Sequence, residues 1–126
     1  MTRTILLQAI ALVLLAGCAA LQPNAPMNAA GNRYLDCLSA RAEKNMDNPT
    51  TAENIADAAH AGCWSEWEAY REATANNFYS GARTAQEAQL ANDKADAHLR
   101  QFEIEARKAI VSRVIQRSSG VRKPNP

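Results

Sequence analysis

The chain has 126 residues, with 14 Lys and Arg against 13 Asp and Glu and a formal charge of +1. That length is enough for one small domain. No glycine-rich phosphate loop and no catalytic motif occurs in it, so an enzyme is not expected.

The chain opens MTRTILLQAIALVLLAGCAA. One arginine, Arg3, precedes an apolar run from Ile5 to Ala16 that only Gln8 interrupts. About 20 apolar residues are needed to span a bilayer, so the run reads as a cleaved signal peptide. At its end, Leu15-Ala16-Gly17-Cys18 resembles the lipobox of bacterial lipoproteins. The resemblance covers residues 1 to about 19 and names a processing route. It implies that residues 1–17 are a lipoprotein signal peptide and that Cys18 receives a diacylglyceryl group. Cleavage before Cys18 and acylation of the new amino terminus follow. Several acyl chains on one residue give stable anchoring where one would be marginal. Ala19 stands where an aspartate often causes inner-membrane retention. The resemblance therefore implies the outer membrane, facing the periplasm, in a Gram-negative cell. This covalent lipid is the only non-protein group expected; no cofactor and no metal is.

Without residues 1–17 the chain carries 13 basic and 13 acidic side chains. They are not evenly spread. Residues 33–72 hold four basic and eight acidic side chains, and residues 80–126 hold nine and five. No acid follows Glu105, while Arg107, Lys108, Arg113, Arg117, Arg122 and Lys123 do.

Residues 19–32, AALQPNAPMNAAGN, carry no charge and two prolines, and read with Cys18 as a flexible tether (18–32) between lipid and domain. A helical domain is expected over 33–117, because no run of alternating β-branched residues appears in it. Three helices are predicted, near 33–46, 51–79 and 85–117. Pro49 disfavours helix at Asn48. Thr50-x-x-Glu53 and Thr84-x-x-Glu87 fit capping boxes that open the second and third helices. Ser80-Gly81 suits a helix end. Residues 118–126 read as an unravelled basic tail.

With Cys18 taken by lipid, Cys37 and Cys63 remain, and an exported domain permits a disulfide between them. Their midpoint is position 50, inside the predicted turn, so in an antiparallel helical hairpin they face each other. The fold class expected is therefore all-α: a disulfide-pinned antiparallel hairpin plus a long third helix.

Residues 60–67, HAGCWSEW, concentrate reactive residue types. On a helical wheel, Ala56, Ala59, Trp67, Tyr70 and Thr74 fall within about 40° of Cys63, placing it mid-way across a buried face. His60 and Phe78 border that face, and Ser65, Glu68 and Glu72 point away. Gly62 suits a close helix approach beside Cys63. His60-x-x-Cys63 has ligand-like spacing, but with Cys37 it supplies three donors where structural zinc takes four. A thiol nucleophile needs a free thiolate, which a disulfide removes. Trp64, about 100° off, is either a lid on the core or a binding anchor. Arg71 is spaced to stack on Trp67.

The third helix carries two apolar stripes. Leu99, Phe102, Ala106, Ala109 and Ile110 form the expected core face. Ile104, Val111 and Ile115 lie roughly opposite, with Val114 between. The second stripe is covered by the tether or tail, left as scattered exposed aliphatics, or is an interface for a homo-oligomer or an envelope partner. Arg113 and Arg117 complement the helix dipole, or sit with the tail on an anionic envelope surface. No nucleic acid is expected outside the cytoplasm. The leading functional expectation is a membrane-anchored, non-catalytic accessory protein acting through helix faces. Contacts are expected at Trp64, Arg71, Ile104, Val111, Ile115, Arg113 and Arg117. The alternative is an inhibitor or exclusion-type lipoprotein that blocks an incoming enzyme or machine.

Overall fold

The computed structural model describes residues 24–121. They form four helices: α1 (Ala25–Asn45), α2 (Ala52–Gly62), α3 (Trp64–Tyr79) and α4 (Ala85–Val121). No strand occurs among the described residues. The signal segment, Cys18 and residues 122–126 lie outside them.

α1 begins eight residues before its predicted start at 33, so most of the supposed tether is helix. Pro26 sits in the first turn, where its missing N–H costs nothing. Met27, Ala30, Tyr34, Leu38 and Ala42 then recur at helical spacing, and all are buried. The absence of charge in 19–32 hid this stripe. Gly31 is part of the packing too. A Cβ there would stand 3.1 Å from Tyr70 Cε2 and 3.6 Å from Phe102 Cζ. A bare glycine lets the aromatic rings of α3 and α4 close onto α1.

The turn after α1 brings the chain back, one residue later than expected. The cap of α2 is Thr51 rather than Thr50: the Asn54 N–H donates to Thr51 Oγ1 at 3.2 Å. The Thr50 hydroxyl instead accepts from the Asn54 side-chain amide at 3.1 Å. The predicted helix 51–79 is two helices, parted at Cys63, whose backbone leaves the helical region with φ −114° and ψ 27°. Its N–H still donates to the His60 carbonyl. Gly62 stands just before the break with the Arg41 side chain lying across it, Nε 3.3 Å from where a Cβ would be. This is the close approach expected beside Cys63.

The second capping box forms as predicted. Glu87 N–H donates to Thr84 Oγ1 at 3.1 Å, and the Glu87 carboxylate accepts from the Thr84 and Arg83 N–H groups at 3.0 and 2.7 Å. Those backbone donors hold the Glu87 carboxyl below its ordinary value. α4 then runs unbroken to Val121, so residues 118–121 of the expected tail are helical.

Cys37 and Cys63 are disulfide-bonded, with Cα atoms 5.9 Å apart. The bridge pins α1 to the α2–α3 junction. Around it lie Tyr34, Leu38, Ile55, Ala59, Trp67, Tyr70, Leu99, Ala106, Ile110 and Val114, the core of the bundle. Every residue assigned to the Cys63 face is buried. Ala109 is a correction: it is exposed, and Val114 takes the core position one turn on.

Thr74 is fully buried, and its Oγ1 has no hydrogen-bond partner among the described residues. An unsatisfied buried hydroxyl costs about 1–3 kcal/mol. Thr74→Val keeps the shape and removes the hydroxyl. It is expected to raise stability by about 1 kcal/mol, read as a higher urea midpoint at unchanged slope. A lower midpoint would mean that the hydroxyl is bonded.

Candidate functional site

The reactive-looking stretch 60–67 lies at the α2–α3 junction, where the aromatic core reaches the surface. Trp64 opens α3 and is 52% exposed. Its ring meets the edge of His60 with centroids 5.9 Å apart. His60 in turn packs on Trp67 at 5.7 Å and is hydrogen-bonded through Nδ1 to the Tyr34 hydroxyl at 2.6 Å. Glu103 of α4 stands 4.0 Å from His60 Nε2. A second pair, Tyr70 and His98, is hydrogen-bonded at 2.8 Å and joins α3 to α4. Each buried phenol thus finds a histidine from a neighbouring helix. That satisfies its one polar atom and fixes the ring.

Burial pushes both phenols up, and at Tyr34 the Glu103 carboxylate adds to the rise. A phenol so raised keeps its proton, which suits a hydrogen-bonding tie and not a nucleophile. The cleft above Tyr34 is lined also by Asp57, His60, Glu103 and Arg107. It measures about 90 Å³, too small for a drug-sized ligand, whose pockets run to about 300 Å³ or more. Asp57 and Arg107, both lining it, are held together by a paired carboxylate–guanidinium contact, Nη2 to Oδ2 3.3 Å.

The metal and thiol readings can be placed on the same geometry. His60 Nδ1 is taken by Tyr34, and the two thiols are bonded to each other. The Glu66 carboxylate, not His60, is the third donor near the two sulfurs. With both thiols in the disulfide, only Glu66 has lone pairs to offer as a charged ligand.

The remaining candidates sit apart from this cluster. Arg71 turns to Glu68 at 2.8 Å and pairs on the surface of α3, instead of stacking on Trp67. Arg113 reaches Glu43 of α1 at 3.7 Å, and Arg117 Nη1 lies 3.6 Å from Met46 Sδ. Both cations therefore serve the end of α1 as well as their own helix. On the outer face of α4, Ile104 is 48% and Ile115 50% exposed. Val111 is a partial correction: it is half-buried and packs on the edge of the core. Leu90, 53% exposed, was missed. Its signal was its position, fourteen residues before Ile104 on the same helical face.

No described helix is long and apolar enough to cross a membrane. Comparison with protein-family models, with curated proteins and with solved structures finds no match to this chain.

Proposed function

We propose that the chain is a lipid-anchored protein of the bacterial envelope, facing the periplasm from the outer membrane in a Gram-negative cell. It acts there as a non-catalytic accessory protein through its helix faces. The observation that carries this reading is Leu15-Ala16-Gly17-Cys18 at the end of an apolar run too short to span a bilayer. The disulfide supports it, since such bonds persist in oxidising compartments and are rare in the cytosol. The non-catalytic part rests on what the polar groups of the core are used for. The thiols form the bridge, the two buried phenols are tied to histidines, and Asp57 and Arg107, which line the cleft above Tyr34, are paired with each other.

Cys18→Ser tests the anchor. Cells expressing the wild-type chain are expected to incorporate radiolabelled palmitate into it. The variant is expected to incorporate none and to stay at precursor size on a gel. Equal label in wild type and variant would contradict the assignment of Cys18.

A further inference from the structure

α4 carries its exposed apolar residues in one line. Leu90, Ala97 and Ile104 recur every seventh residue, the half-buried Val111 continues the spacing at its edge, and Ile115 follows on the same side. The buried residues Ala91, Ala95, Leu99, Ala106 and Ile110 occupy the opposite side, with buried Val114 on the flank between. From Leu90 to Ile115 the line is about 38 Å long at 1.5 Å per residue.

Its direction follows from the packing of the helices. Asp57 meets Arg107, Glu43 meets Arg113 and Met46 lies beside Arg117, so α4 ends where α1 ends. α1, of 21 residues against the 37 of α4, therefore begins at the pole level with the first third of α4. Cys18 precedes that pole by only six residues, 19–24. At 3.3–3.6 Å each they reach at most about 20 Å, while a helix with its side chains is about 10–12 Å across. The anchor can thus hold the bundle on its side, with α4 against the bilayer.

We propose that it does so: the outer face of α4 lies on the membrane that carries the lipid of Cys18, with Leu90, Ile104 and Ile115 at the boundary of headgroups and acyl chains. This deepens the lipid-anchor reading and rests on it. Lys94 and Lys108 fall within the line, and Arg100 borders it; all three are exposed and have no ion-pair partner among the described residues. Long cations among aliphatics suit an anionic headgroup layer, where the stems lie along the apolar boundary and the charges rise out of it. A partner helix fits less well, since lysines would occupy seam positions that a coiled coil fills with apolar side chains. Asp93 and Glu105 also border the line, and each accepts a hydrogen bond from a glutamine one turn earlier. Beyond Glu105 the face has no acid.

The test uses the lipidated full chain in vesicles of equal parts phosphatidylethanolamine and phosphatidylglycerol. A bilayer-confined carbene reagent is activated by light, and labelled tryptic peptides are quantified. The α4 peptides Gln101–Arg107 and Val114–Arg117 are expected to carry several-fold more label than the α3 peptide Glu72–Arg83. Equal labelling of the three would overturn the proposal. So would α4 peptides left unlabelled because copies of the chain pair through them, which chemical crosslinking would detect. The mass of the peptide starting at Cys18 is read in the same digest. A missing lipid there would overturn the anchor reading and this inference together. A lipid there with an unlabelled α4 overturns this inference alone.

Discussion

Replacing Cys37 and Cys63 together by alanine is expected to lower the unfolding free energy by about 3–4 kcal/mol, the chain-entropy value for a loop of this size. The bridge closes a separation of 26 residues between α1 and the α2–α3 junction. Without it the open chain regains the freedom that the loop had removed. The native side loses as well, because Cys63 is fully buried between Ala59 and Trp67 in the middle of the core. For a domain of this size each kcal/mol moves the melting temperature by about 4–8 °C, so a fall on the order of 20 °C is expected. The helix signal in circular dichroism during heating measures it. A fall of less than about 5 °C would show that the hairpin holds without its crosslink.

Trp67→Ala is expected to be as damaging, at about 3–5 kcal/mol. Trp67 is 6% exposed and packs on Tyr34, His60 and Tyr70, with ring centroids 5.1, 5.7 and 5.9 Å away. Those rings come from three helices, so the cavity left behind lies where α1, α2 and α3 meet. Two of the three also hold the Tyr34–His60 hydrogen bond, which depends on both rings staying fixed. Trp64→Ala, three residues away, is the contrast. Its ring is half exposed and touches the edge of His60, so its loss should stay near 0.5 kcal/mol. Urea unfolding of the two variants separates the roles. Similar losses would make Trp64 a part of the core.

The two prolines and the lack of charge in residues 19–32 masked a helix start. Pro26 marked a first turn, and Met27 and Ala30 already stood in register with Tyr34 and Leu38. The signal was there, but composition outweighed it. The fold around the cysteines was legible because two independent patterns met at one place. Turn residues at 47–50 and cysteines equidistant from position 50 within that turn define a hairpin without any long-range information. The Cys63 face was equally legible, since helical periodicity alone assigns it.

The break at Cys63 was not legible. It needs the position of Cys37 on another helix, and the sequence carries no mark of it except Gly62. The histidines were the least readable part. On a wheel His60 borders the core, but the partner that defines it, Tyr34, lies 26 residues away. His98 and Tyr70 are 28 apart. Spacing along one helix cannot reveal a bond between two, and so His60 beside Cys63 looked like a candidate ligand.

The residues 15–18 that carry the functional reading lie outside the described structure, and chemistry at one atom decides it. The most direct measurement is the mass of the N-terminal tryptic peptide of the mature protein, purified from membranes. The expected peptide runs from Cys18 to Arg33 and carries a diacylglyceryl group on sulfur and an acyl chain on nitrogen. A peptide beginning at Met1, or at Ala19 or Ala20 without lipid, would contradict the anchor and the envelope role built on it.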